Sequence, residues 1–262
     1  MKQLELVQKE HNVKIGDPAP NNPPNVLEDT MFILDGTPVG FYIRDIGAHN
    51  GEAANLANIA DTELRSDRVP KSVMRRSSGL ADAANEVLQY STIVGSVPKK
   101  PNMRRMYHTI SSVHREKSAQ TFIKAMWKLA LASEQIIKDA APDIYEQQKK
   151  IFEEHVPEQW RFGNLFTSSI SNYNISAAHH IDKANIKGCV NVIIAKRQHS
   201  KGGNTTVPDY DITVDSADNS MLVYPAWHNV HAVTPIHLTA PEGYRNTLVF
   251  YPLKAFYEDK VQ

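Results

Sequence analysis

Tyr244-Arg245-Asn246-Thr247-Leu248-Val249-Phe250-Tyr251 decides how this chain reads. The run Leu-Val-Phe-Tyr is the composition of a buried, central β-strand. Side chains two positions apart on a strand share a face, so Arg245 and Thr247 project together. A guanidinium on such a strand needs an anion. It is the usual partner where a carboxylate is recognised through two points. A surface salt bridge is the blander reading of Arg245, and the apolar run beside it argues against that.

Outward from this strand the same period-two pattern extends back to Trp160. It marks candidate strands at 165–170, 173–179, 189–195, 211–214, 221–224, 230–235 and 247–251. Gly, Pro, Asn and Asp separate them. Many short strands with turn signals predict an all-β sandwich or barrel, specifically an eight-stranded jelly roll. Within it lie His180-Ile181-Asp182 and, further on, His231. Two imidazoles and a carboxylate are the facial ligand set of non-haem Fe(II) oxygenases, which leaves positions open for co-substrate and O₂. On a continuing strand His180 and Asp182 would aim inward together and His179 outward. His228 competes with His231 for the distal position. His231 is preferred because Ala-Val-Thr-Pro after it continues a buried strand into a turn, whereas His228 follows Trp227 in a loop. His199, close to Lys201-Gly202-Gly203, reads as a loop residue. Any one of the eleven histidines signifies little, but paired ligands, a distal histidine and then an arginine in one β-rich region suggest Fe(II) and an organic acid.

Before residue 160 the chain is organised differently. Residues 15–27 are rich in Pro and Asn, and 1–28 reads as an extended arm. Strands are expected at 31–34 and 39–43 around an Asp35-Gly36 turn. A Gly-, Asn- and Ala-rich loop is expected after them. Residues 118–155 read as helix, with Phe122, Ile123, Met126, Leu129, Ala130, Ser133, Ile136 and Ile137 at three and four spacing. Trp127 is expected in the core beside Met126. Pro142 interrupts the pattern and suits the first turn of a second helix, running to about residue 154. The expected division is an arm over 1–28, strands, a basic segment and supporting helices over 29–159, and the β core over 160–262.

The chain of 262 residues has 29 basic and 29 acidic side chains, which excludes a wholly basic nucleic-acid coat. The charge is uneven, however. Residues 65–117 contain eleven Lys or Arg and four Asp or Glu, a local balance of +7. That segment is either a solvated face or a contact surface for a polyanion. The single cysteine, Cys189, fits a reducing compartment. With no signal-like start and no apolar run of about 18 residues, a soluble, cytoplasmic chain is expected.

His-Ile-Asp-Lys-Ala-Asn at 180–185, Gly202-Gly203, His231 and Arg-Asn-Thr-Leu-Val-Phe-Tyr-Pro-Leu-Lys at 245–254 resemble the 2-oxoglutarate/Fe(II) dioxygenases. The nearest branch is that of the ten-eleven-translocation and J-binding proteins (TET/JBP), over roughly 160–257. The resemblance implies a mainly β fold with an α buttress, its core a double-stranded β-helix of jelly-roll, cupin-like form preceded by helices. It implies His180, Asp182 and His231 as iron ligands, and Arg245 with Thr247 as the 2-oxoglutarate clamp. Asn185 and Tyr251 take the places that face a flipped base in this branch. The implied reaction hydroxylates the 5-methyl group of a pyrimidine in DNA, 5-methylcytosine ahead of thymine, using Fe(II), 2-oxoglutarate and O₂. The resemblance favours the polyanion reading of the basic segment. It also suggests a compact microbial or viral form, because the cysteine-rich part of animal TET proteins is absent. One departure is Leu253, where the branch carries a histidine that contacts the cytosine edge. The alternatives are a protein side chain or small molecule as substrate, or a non-catalytic binding module.

Overall fold

A computed structural model describes residues 1–76 and 89–258. Part of the basic segment, including Asp82 and Glu86, therefore lies outside the described residues. The arm begins with a strand, β1 (Lys2–Glu5), which pairs in parallel with β2 (Thr30–Leu34). β2 folds back on β3 (Thr37–Ile43) through Asp35-Gly36, both at positive φ, as the hairpin turn requires. Between them the Pro-rich stretch lies across the molecule. Gly16 donates to the His179 carbonyl, and Asn25 and Val26 donate to that of Thr213. Prolines are tolerated because the tethers come from other residues.

The loop expected after β3 is instead α1 (Gly51–Arg65). Asn50 caps it by accepting from the Ala53 amide, and Gly51 occupies only its first turn, where a weak helix former costs little. Ala53, Leu56, Ala57, Ala60 and Leu64 then make a buried stripe at helical spacing. The Asn and Gly that read as loop are the start signal. β4 (Arg75–Arg76) and β5 (Tyr90–Val97) follow, then β6 (Thr109–Ile110), α2 (Gln120–Ala140) and α3 (Pro142–His155). The predicted α2 stripe is buried throughout, and Pro142 opens α3. Trp127 departs from expectation. One position off the stripe, it is 42% exposed and meets Phe162 edge-on.

The remaining strands are β7 (Ser168–Tyr173), β8 (Ala177–His180), β9 (Asn191–Gln198), β10 (Ser200–Gly202), β11 (Thr205–Val207), β12 (Ile212–Val214), β13 (Met221–Tyr224), β14 (His231–Val233), β15 (Ile236–Leu238) and β16 (Tyr244–Tyr251). β10 and β15 pair only with each other, and the other strands join the earlier ones in a larger and a smaller sheet that face each other. The larger runs β1-β2-β3-β13-β9-β16-β7-β5-β4, and the smaller runs β12-β11-β14-β8. β13-β9-β16-β7 opposite β12-β11-β14-β8 are the eight strands of the jelly roll. Strands from both sides of residue 160 share the larger sheet. β10, β11 and β15, of three residues each, were not anticipated, nor was the eight-residue β5.

Side-chain alternation on β16 sets the function of each sheet face. Leu248 and Phe250 point to a core shared with α1 and α2, together with Val192, Ile194, Met221 and Val223. Arg245, Thr247, Val249 and Tyr251 point the other way, into the space between the sheets. Behind Arg245 and Thr247, α1 is fixed by buried Asp61, which accepts from Tyr244 Oη (2.8 Å), Asn246 Nδ2 (3.1 Å) and Arg65 Nε (3.1 Å). Among the described residues no helix is long and apolar enough to cross a membrane.

Candidate active site

His180 is the last residue of β8 and His231 the first of β14, and the two are direct cross-strand partners. Their rings lie 4.3 Å apart, centroid to centroid. Asp182 does not share a strand with His180, contrary to the parity argument. β8 has already ended, and a turn carries the carboxylate back to 3.6 Å from His180 Nε2. The turn is held by the Asp182 amide donating to the Ala226 carbonyl and by Asn185 donating to that of Asp182. One ligand atom from each of His180, Asp182 and His231 falls within 4.8 Å of the others. His179 points away, as expected, with its Nδ1 2.9 Å from the Asp17 carbonyl. His228 and His199 lie outside this cluster.

The backbone sets the tautomer of both rings. His180 Nδ1 is 2.8 Å from the Ala178 carbonyl, and His231 Nδ1 is 3.1 Å from that of Asn229. A carbonyl only accepts, so each Nδ1 bears the proton and each Nε2 offers its lone pair inward. Burial, reinforced by the nearby His180, lowers the His231 pKa to about 4, so this ring is neutral near pH 7. Asp182 Oδ2 accepts from Asn191 Nδ2 at 3.1 Å, and Asn191 Oδ1 accepts from Asn185 Nδ2 at 2.9 Å. Asn191, which the sequence analysis missed, thus orients the carboxylate. Its signal was its place two residues before Ile193, on the cavity-facing side of β9.

Across the cavity stands Arg245, 2% exposed. Its Nε and Nη2 donate to Ser216 Oγ at 3.1 and 3.0 Å. No carboxylate among the described residues pairs with it. Burial, then the charge of Arg197, lowers its pKa to about 9, so it stays cationic at neutral pH. A desolvated, uncompensated guanidinium is costly unless an anion arrives, and here it faces a cavity of about 520 Å³ shared with the metal-ligand cluster. Gly202 and Gly203 take positive φ beneath it. A Cβ on Gly203 would collide with the Arg245 side chain, and one on Gly202 with the Pro235 carbonyl. The glycine pair thus makes room for the arginine. Thr247 and Asn172, cross-strand partners, line the same wall.

The other expected site residues converge here too. Asn185, Tyr251 and Leu253 line one side of the cavity, and Asn185 bridges Leu253 through the backbone. Asn185 has its amide nitrogen turned to Asn191 and Asp182. Burial pushes the pKa of the Tyr251 hydroxyl up. The arrangement combines three side chains able to hold a metal ion, a buried guanidinium without an acidic partner among the described residues, and an amide-and-aromatic wall around one space.

Residues 94–254 match the family model Tet/JBP, the oxygenase domain of the 2OGFeDO superfamily. No curated protein sequence is matched. Among solved structures, NgTET1 in complex with 5mC DNA is 13% identical, with a TM-score of 0.58 covering 95% of this chain and 87% of that one. OsALKBH1 is 14% identical (TM-score 0.43, 82% and 97% covered). A 2OG-Fe(II) oxygenase family oxidoreductase from Burkholderia pseudomallei is 12% identical (TM-score 0.41, 78% and 80%). At these identities the likeness concerns the fold.

Proposed function

We propose, because this chain belongs to the Tet/JBP oxygenase family of the 2OGFeDO superfamily, that it hydroxylates the 5-methyl group of a pyrimidine base in DNA. The class is that of an enzyme using Fe(II), 2-oxoglutarate and O₂. 5-Methylcytosine is the favoured substrate. The observation that carries the reading is one cavity holding both the His180–Asp182–His231 cluster and a buried Arg245 that has no acidic partner among the described residues.

The three ligand side chains fit Fe(II) in donor type and in tautomer. Bound there with 2-oxoglutarate and O₂, the metal supplies the oxidising power, one oxygen atom going to substrate as 2-oxoglutarate becomes succinate and CO₂. The chain's residues do the rest. His180, Asp182 and His231 would hold the metal. Asn191 keeps the Asp182 carboxylate aimed. Arg245 takes the far carboxylate of the co-substrate, with the Thr247 hydroxyl beside it. Burial of that wall excludes water, which strengthens the ion pair and keeps the oxidation on substrate.

On the substrate side, Tyr251 flanks an extruded base and Asn185 reads its edge. Support comes from their joint place on the cavity wall and from the family, in which NgTET1 is seen with 5mC DNA. Thymine is the second substrate to consider. The apolar Leu253 offers no hydrogen bond to the exocyclic amino group that separates cytosine from thymine.

The test is anaerobic loading with Fe(II) and 2-oxoglutarate, then air in the presence of a 5-methylcytosine duplex, followed by nucleoside mass analysis. A gain of one oxygen on 5-methylcytosine is expected. Succinate with an unchanged base in 5-methylcytosine and thymine duplexes would move the substrate to a protein or small molecule. Neither succinate nor product would favour a binding module.

A further inference from the structure

Beside the metal cavity lies a second recess of about 520 Å³ that the chemistry above leaves unused. Its lining includes Ser91, Ile93 and Val97 of β5 together with Lys100, Arg105 and Arg115. The two spaces are neighbours by register. Ser91 pairs with Asn172 and Ile93 with Ile170, and both partners line the metal cavity. Directly paired residues face the same side of a sheet, about 5 Å apart. The recess is thus the next step along the sheet face from the cavity, reached by crossing β7.

The chemistry of the recess is one-sided. Among the described residues no Asp or Glu lines it, and none of its three cations forms an ion pair. Arg105 donates through Nη2 to the Pro98 carbonyl, while its buried Nε has no protein partner. A simple solvated face does not explain the apolar groups there. Of nine large apolar side chains exposed among the described residues, three fall within five positions at this site: Met106, Tyr107 and Ile110. Tyr107 is 67% exposed and lines the recess. Unpaired cations interleaved with an exposed aromatic ring are what a nucleic-acid strand seeks, phosphates on the cations and a base on the ring.

We propose that this recess seats the DNA strand carrying the target base, holding the nucleotides next to the one turned into the metal cavity. Lys100, Arg105 and Arg115 contact its phosphates and Tyr107 stacks on a neighbouring base. This inference rests on the DNA reading above and adds the path by which the strand reaches the site.

The experiment measures binding of a 5-methylcytosine duplex to the full chain over a series of salt concentrations. Arg105 is left in place because it ties its own loop. In Lys100→Gln/Arg115→Gln, the slope of log affinity against log salt should fall by about two, with at least about tenfold weaker binding near physiological salt. Tyr107→Ala should weaken binding about tenfold with the slope kept. Iron loading and succinate formation without DNA should stay as in wild type. Lys124→Gln/Lys128→Gln, on the exposed side of α2, is the control and should bind normally. If wild type binds and oxidises the duplex while Lys100→Gln/Arg115→Gln keeps affinity and slope, the recess is not the path, although the DNA reading stands. Wild type that neither binds nor oxidises DNA removes both. Tighter binding of polyglutamate than of duplex, lost in the double variant, would assign the recess to an acidic protein and overturn the proposal.

Discussion

The two sheets hold the two halves of one site under opposite conditions. On the smaller sheet His231 is buried, but the His180 and Asp182 side chains beside it are 39% and 36% exposed, at a strand end and in the turn beyond it. On the larger sheet Arg245 is buried at the heart of β16, with α1 packed behind that strand. A metal site needs access, because ligands exchange there and substrate must arrive. An anion clamp needs dryness, because a guanidinium attracts a carboxylate strongly only where water does not screen it. The open half is therefore fixed by local hydrogen bonds to Ala178, Asn229 and Asn191, and the closed half by the sheet and helix layers around it.

The strongest way to break this contrast is to remove one of the three proposed metal ligands. His180→Ala, Asp182→Ala or His231→Ala should abolish turnover, by at least about 10³-fold, while the circular dichroism spectrum and melting temperature stay near wild type. Full activity in His231→Ala would show that the distal ligand lies elsewhere. Next is the closed half. Arg245→Ala should raise the 2-oxoglutarate concentration needed for half-maximal rate by about 10²-fold or more, as expected for losing one partner of a buried charge pair. Iron binding, followed by calorimetry, should persist. A matching loss of iron would mean that the two halves are not separable.

Smaller effects sharpen the comparison. Asn191→Ala should lower metal affinity or activity by about 10–100-fold, since it removes the donor to Asp182 Oδ2. An unchanged metal titration would show that Asn185 and the turn suffice. The smallest effect is one of pH on the metal-free protein. The His231 pKa is lowered to about 4 in the fold, against about 6.5 unfolded, so the unfolded chain binds more protons between these values. Stability is therefore full above about pH 6.5 and falls as pH drops towards 4. Urea midpoints at pH 7 and pH 5 test this, and His231→Asn should flatten the difference.

The elements read from sequence and those missed differ in length and in kind. The α2 stripe and β16 were legible because each repeats its pattern over several turns or pairs. α1 was not, because its Asn50-Gly51 start resembles a loop and its apolar stripe is mostly alanine. Trp127 was misplaced because a helix face is only about 100° from the next residue's. In the site, His180, Asp182, His231, Arg245, Thr247, Asn185 and Tyr251 were all named and all line one cavity. Asn191 and Ser216 were not named, since an amide or hydroxyl in a strand or loop has no spacing that marks it as a partner of a distant group.

By itself the sequence determined the chemistry available. It set two imidazoles, a carboxylate and a guanidinium in a β-rich region, and put Arg245 and Thr247 on one strand face. These follow from side-chain identity and local alternation, which need no partner. Tertiary structure alone decided convergence. It brought Asp182 to His180 by a turn rather than a strand, placed Asn191 on the carboxylate, and opened space for Arg245 over Gly203. Through the β5–β7 register it also set a basic recess beside the metal cavity. Register between strands far apart in the chain is fixed only when both sheets close around their shared core.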